Sequence, residues 1–156
     1  MIAGGPRLRF RGRAWRILPA GGVDDPTGPA RAPVGRFHHS GQHALYASLT
    51  SGGAGVAIAR YLSPDGPARI ILPLRIDADV ADLREAGASP SVVWQDAHAA
   101  GRPAPTWALS DAARAAGAQG MLYRSCSRPD LVHIVLFDLA AATPDGPAAP
   151  WWPPRT

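Results

Sequence analysis

Basic and apolar residues alternate along Arg7-Leu8-Arg9-Phe10-Arg11-Gly12-Arg13-Ala14-Trp15-Arg16-Ile17-Leu18. A period of two puts every second side chain on one face of an extended chain, so this run predicts a first strand within 8–18. The short apolar segment Ala44–Ser48 predicts a second strand, carrying Tyr46. Ala68–Ile76 reads as a third, with Pro73 pointing to an edge or a bulge because it has no N–H for a ladder. Met121–Tyr123 and Leu131–Phe137 read as the final two strands. Helices are expected between them. Thr50-Ser51-Gly52-Gly53 offers hydroxyls to the first turn of a helix over Ala54–Leu62, and Ser63–Pro67 then turns the chain. Asp77–Glu85 predicts a short helix ending at Gly87, and Ser91–Ala100 another. Ser110–Ala116 predicts a third, with Asp111 in its first turn and Gly117 after its last. Residues 19–35, rich in Gly, Pro and Asp, make a long loop. Residues 140–156 are expected to be an irregular Ala/Pro-rich tail that exposes Trp151 and Trp152.

Length and composition narrow the function classes. A chain of 156 residues suits one domain with a real core, over about 8–140, and the Pro-rich 141–156 as its tail. Glycine and proline number 17 each, which fits long irregular connections in a globular protein. No apolar run approaches the roughly 18 residues that span a bilayer, so no membrane role is expected. Met1–Gly5 lacks the apolar core of a signal peptide. Cys126 is the single cysteine, so no internal disulfide forms and a reducing cytoplasm is the expected setting. All 16 basic residues are arginine, which excludes a catalytic lysine, a Schiff base and a P-loop. Glu85 is the one glutamate beside eleven aspartates, and the net charge of +4 suits an anionic ligand or partner.

The candidate chemistry gathers around Gly35–Ser48. A glycine-flexed loop delivers Arg36, and the following strand delivers Tyr46, into one cleft. Arginine grips phosphate with a planar fork, and tyrosine offers a flat face for stacking. The plainer alternative is a solvated loop arginine and a half-buried strand tyrosine. His38, His39 and His43 cluster nearby, but zinc would need a second set of ligands at suitable spacing, so no metal is expected. Cys126 lies between Ser125 and Ser127 with no predictable histidine partner, and no Gly-x-Ser-x-Gly or Gly-x-Gly-x-x-Gly motif occurs. Ser125 leaves a strand between Arg124 and Arg128, where its hydroxyl can bond a sugar or phosphate, or cap a turn. The Arg-rich first strand is too short, and too bare of accompanying motifs, to predict direct nucleic-acid binding.

Gly35-Arg36-Phe37-His38 and Ala44-Leu45-Tyr46-Ala47-Ser48 resemble the "G-R-W-N/H … L-Y-x-S/A" opening of RES-domain proteins. Ala115–Ser125 followed by Val132–Phe137 resembles that family's glycine–hydrophobic–tyrosine–serine close. Several spaced motifs match in order over roughly residues 10–140, which no one of them would establish. The resemblance implies an α+β fold like that of ADP-ribosyltransferases, a mixed α/β domain with a bent central sheet and short helices. It implies the toxin of a bacterial type II toxin–antitoxin pair, restrained by an Xre-type helix-turn-helix antitoxin. It also implies NAD as substrate, cleaved between nicotinamide and ribose, with ADP-ribose passed to a protein or other acceptor, or NAD simply degraded.

The family is named for an arginine, a glutamate and a serine. Arg36 and Ser125 stand at the first and last positions, and Tyr46 matches the family tyrosine. The glutamate position, about eleven residues after the tyrosine, falls on Ala57. On this reading Arg36 holds phosphate, Tyr46 packs on the nicotinamide end, and Ser125 bonds the ribose or the carboxamide. Arg16 and Arg128 are further phosphate candidates. Ala57 implies a catalytically weakened chain, unless Asp65 or Asp77 supplies a carboxylate. The alternative is a non-catalytic nucleotide- or partner-binding module.

Overall fold

The first strand is β1, Arg7–Pro19, and its partner is the long β3, Arg69–Asp82. The two run antiparallel from Arg7↔Ala81 to Pro19↔Arg69 in the computed structural model, which describes residues 6–85 and 94–153, the side chain of Trp94 excepted. β3 overturns the helix predicted over Asp77–Glu85. Ile76, Ala78 and Val80 point inward while Asp77 and Asp79 point outward, a period of two that continues the strand. The outward aspartates meet the outward arginines of β1: Arg7 with Asp79 at 2.6 Å, and Arg9 and Arg11 with Asp77 at 2.7 and 3.2 Å. Without that cross-strand ladder in view, a run of aspartates spaced by apolar residues imitates a short helix. Its expected stop at Gly87 lies outside the described residues.

β2, Leu45–Ser48, pairs antiparallel with β5, Val132–Leu136. β5 pairs antiparallel with β4, Gly120–Arg124. β4 runs parallel to the end of β3, from Val80↔Gly120 to Asp82↔Leu122. The Trp15↔Ser48 pair joins β1 to β2. The bent sheet therefore closes on itself in the cycle β1-β2-β5-β4-β3. Its inner face holds one core cluster that includes Ala14, Leu45, Leu74, Ile76, Val80, Leu122, Ile134 and Leu136. The outer face of β2, β5 and β4 carries the other side chains of the alternation, and a second cluster, with Phe37, Met121, Tyr123 and Val135, lies there.

Three helices lie on this α+β frame. α1, Ser51–Ile58, starts earlier than predicted because the Thr50 hydroxyl takes the N-cap role, accepting from Gly53 N–H at 2.9 Å. A 3-10 turn, Ala59–Tyr61, ends it. α2 is Trp94–Ala99; the earlier part of the predicted Ser91–Ala100 helix lies outside the described residues. α3 is Pro105–Ala115, so Asp111 sits in mid-helix rather than in the first turn. Proline at the first helical position, with φ already helical and no N–H to satisfy, moves the start back. Gly117, at φ 83°, closes α3 where the sequence places its stop, and Ala118 N–H reaches back to Ala113.

The expected irregular tail is also corrected. Ala142–Pro144 and Ala149–Trp151 form β6 and β7 on the outer edge of β3. Between their two pairings lies Pro73, whose carbonyl accepts Asp145 N–H at 2.9 Å. Its missing N–H faces that same gap, which is why a proline is tolerated within a strand paired on both sides. Trp151 rests on α1, where a Cβ added at Gly55 would come within 3.1 Å of the indole. Trp152 is 74% exposed, as expected.

Leu74→Ala, at a fully buried position of the inner core, should cost about 2–5 kcal/mol in urea unfolding. Arg11→Ala should leave the midpoint within error, because exposed ion pairs are screened. A comparable loss in both would mean that the ion-pair ladder, rather than the closed core, holds β1 to β3.

Candidate functional site

Arg36 belongs to a loop with no ladder of its own, and α3 supplies the partners its carbonyls need. Thr106 Oγ1 donates to the Arg36 carbonyl. Trp107 Nε1 donates to the Gly35 carbonyl at 2.8 Å. Arg114 donates to the carbonyls of Phe37 and His43 at 2.8 and 2.9 Å. Burial pulls the Arg114 guanidinium below its usual range. Further along the loop His39 stacks on Trp107 with centroids 4.6 Å apart, and with Gln42 it bonds the Asp111 carboxylate. Burial opposes ionising Asp111, but the hydrogen bonds from Gln42 and His39 outweigh it and hold the carboxyl below its ordinary range.

Tyr46 fastens the same loop from the sheet. His38 Nε2 donates to the Ala32 carbonyl at 2.8 Å, so in the neutral ring Nδ1 is the acceptor. Tyr46 O–H donates to that Nδ1 at 2.7 Å and accepts Phe37 N–H at 2.9 Å. Burial keeps both groups uncharged, raising the phenol pKa and lowering that of the imidazole. Gly35 is required here, because a Cβ would collide with the His38 ring and the Tyr46 hydroxyl. Only the ring of Tyr46 is thus left for a ligand.

The Arg36 guanidinium lies over Tyr123 at 4.9 Å and Phe37 at 5.1 Å, and Nη2 donates to Cys126 Sγ at 2.9 Å. Arg36 therefore meets the turn that begins at Ser125. The Ser125 hydroxyl accepts Arg128 N–H at 3.2 Å, the turn-capping role, and is 6% exposed. Arg128 itself points its guanidinium at Asp130, at 3.0 and 2.8 Å. Arg16 is not brought to this cleft: alternation places it with Ala14 and Leu18 on the inner face. There its guanidinium donates to the Pro26 carbonyl at 2.9 Å, and burial lowers its pKa to about 10.

Ala57 lies on the exposed side of α1. Of the two carboxylates weighed as substitutes, Asp77 is in the outer ladder and Asp65 is exposed in the turn after the 3-10 segment. Glu85 pairs with Arg124 at 3.3 Å. The site also holds residues the sequence did not single out. Tyr123 underlies Arg36. His133 packs beside Tyr123 with centroids 5.6 Å apart. The period of two was the available signal, since Tyr46, Ser48, His133 and Tyr123 all alternate outward. Among the described residues no group of three or more His, Cys, Asp or Glu side chains is arranged for a metal, and no helix is long and apolar enough to cross a membrane.

Burial, helped by the Arg36 charge, lowers the His133 pKa to about 4 from 6.5. The unfolded chain therefore takes up this proton first as pH falls. Stability should be complete above about pH 6.5 and decline toward pH 4, by up to about 3 kcal/mol from this residue. His38 contributes with the same sign, and the depressed carboxylates act only below this window. Urea midpoints at about pH 7.5 and about pH 5 measure the difference. His133→Gln should flatten it, and a flat profile in the parent protein would mean a solvated imidazole.

With this geometry in place, comparison with known proteins is informative. A search of curated proteins finds no match. Among solved structures the fold matches a chain of the M. tuberculosis MbcT–MbcA toxin–antitoxin complex with a TM-score of 0.63 at 16% identity, covering 94% of this chain and 87% of that one. The RES domain model matches residues 13–153, from the arginine-rich β1 through the Arg36 loop and the Ser125 turn to the end of β7. The chain belongs to the RES domain family.

Proposed function

We propose that the chain is the toxin of a toxin–antitoxin pair and that its cleft binds NAD as substrate. The observation that carries this reading is the convergence of Arg36, Tyr123 and the Ser125–Cys126 turn from three separate parts of the chain. A cation held over an aromatic ring can grip pyrophosphate while the ring of Tyr46 packs on a heterocycle. Ser125 accepts from Arg128 N–H and shares a 3.4 Å contact with Ser127 Oγ, and it can give its own hydrogen instead to a ribose or carboxamide. The reaction would break the nicotinamide–ribose bond and pass ADP-ribose to a protein or other acceptor, or degrade NAD. Support for a protein partner comes from the similar fold crystallised as a toxin–antitoxin complex. An Xre-type antitoxin covering the cleft would restrain this toxin, and the cytoplasm is the compartment for both.

A second reading, a non-catalytic nucleotide-binding module, is favoured by one observation. Among the described residues no Asp or Glu is among the charges acting on Tyr46, Tyr123 or His133. A glycosyl bond to nicotinamide breaks through an oxocarbenium-like state, which a carboxylate stabilises. With Ala57 at the expected position, binding without brisk turnover is the consequence.

Two variants separate the readings. Arg36→Ala should weaken NAD binding by roughly 1.5–3 kcal/mol in calorimetry, the usual worth of a charge-assisted contact. Unchanged affinity would remove Arg36 from the site. Ala57→Glu should raise NAD turnover by about 10²–10⁴-fold with little change in affinity, and should arrest growth on expression. Equal inactivity of both forms would leave only the binding module.

A further inference from the structure

Two side chains beside Arg36 on the outer face of the sheet are almost wholly buried, yet the Tyr123 hydroxyl and His133 Nε2 bond no described residue. Tyr123 is 8% exposed and its hydroxyl makes no hydrogen bond among the described residues. His133 is 4% exposed and is held through Nδ1 alone, at 3.0 Å from Ser48 Oγ. No fully buried side-chain nitrogen or oxygen among the described residues lacks a partner. The Tyr123 hydroxyl and His133 Nε2 therefore keep a little contact with solvent through the small exposure each residue retains.

Ser48 can set which atom of His133 carries the proton. Ser48 Oγ lies 3.3 Å from the Val132 carbonyl, which also accepts Leu49 N–H at 3.1 Å, and a serine hydrogen directed to that carbonyl leaves Oγ to accept from His133. The contact between Ser48 and His133 is then made by Nδ1–H donating, and Nε2 is left as a lone pair. Ser48 cannot move aside. It faces His133 across the β2–β5 ladder, and α1 packs against it so closely that Gly53 has no room for a Cβ. In that tautomer the pair offers one atom that only accepts beside one that donates and accepts, both on uncharged groups.

We propose that His133 and Tyr123 form a recognition edge for a primary carboxamide, and that His133 selects NAD against its counterpart bearing a nicotinic acid carboxylate. This rests on the NAD reading above. The amide NH₂ donates to His133 Nε2 and its carbonyl accepts from Tyr123 O–H. A carboxylate in the same place sets an anionic oxygen against the imidazole lone pair and leaves Nε2 without a donor. Protonating the imidazole would relieve the clash, but burial and the nearby Arg36 charge both oppose it. Arg36 does not reverse the preference, because on this reading its fork is engaged by phosphate.

The test is binding, which does not depend on turnover. NAD and nicotinic acid adenine dinucleotide are titrated into the full chain by calorimetry. The amide form should bind roughly 10- to 100-fold more tightly, the cost of one unsatisfied buried acceptor. His133→Gln, whose amide can turn an NH₂ outward, should bring the ratio toward one. Ser48→Ala, which frees the ring to take its other tautomer, should narrow the ratio without removing the imidazole. Circular dichroism checks that each variant is folded. The ¹⁵N spectrum of His133 should show the proton on Nδ1. Equal affinity for the two dinucleotides, a ratio unmoved in both variants, or a proton on Nε2 would each overturn the selection while leaving NAD binding standing. Failure of either dinucleotide to bind would overturn the NAD reading and this inference with it.

Discussion

Every backbone carbonyl withdrawn from water needs a donor, and the loop that presents Arg36 has no strand neighbour to provide one. α3 meets that need with side chains: Thr106, Trp107 and Arg114 reach the carbonyls of Arg36, Gly35, Phe37 and His43. From below, Tyr46 closes the same account by taking Phe37 N–H and bonding His38. The position of Arg36 is thereby set by an α-helix and a strand that are far apart in the chain. A loop arginine held in this way is pre-organised, and little ordering remains to be done when a ligand arrives.

The closed sheet gives that arrangement something rigid to stand on. Its inner face is filled by aliphatic side chains, so the strands cannot slip past one another without exposing them. The outer face is then free to carry polar and aromatic groups at fixed separation. Ser48, His133 and Tyr123 lie in one cross-strand row, through Ser48↔His133 and Tyr123↔His133. Such a row keeps its spacing because the ladder beneath it does.

Much of the fold was legible in the sequence wherever a local rule coincided with tertiary demand. The alternation of β1, the Thr50 cap region and the stop at Gly117 are of that kind. Asp77 and Asp79 were misread because their ion-pair partners are on β1, and no window around residue 77 contains them. β6 and β7 were missed for a similar reason: Ala142–Pro144 and Ala149–Trp151 have little strand propensity and become strands only because β3 offers them an edge. In the site, Arg36 reaches the turn that follows Ser125, at Cys126. Arg16 does not join them, since a charged residue in an alternating run gives no sign of which face will be interior. His133 lies inside an apolar strand and was not singled out, because its contact with Ser48 joins residues distant in sequence.

Closing a sheet through partners this remote also orders events in time. β1 has to wait for β3, and β2 finds its neighbour only when β5 has been made. During synthesis, Arg36 and Tyr46 emerge early but hang on an unfinished frame, while Tyr123, Ser125 and His133 emerge late. No cleft exists on the ribosome until residue 136 has cleared the exit tunnel, and the β3 edge stays open until residues 142–151 follow. A nascent chain of this topology cannot bring Arg36 and the Ser125 turn together before β4 and β5 have been made.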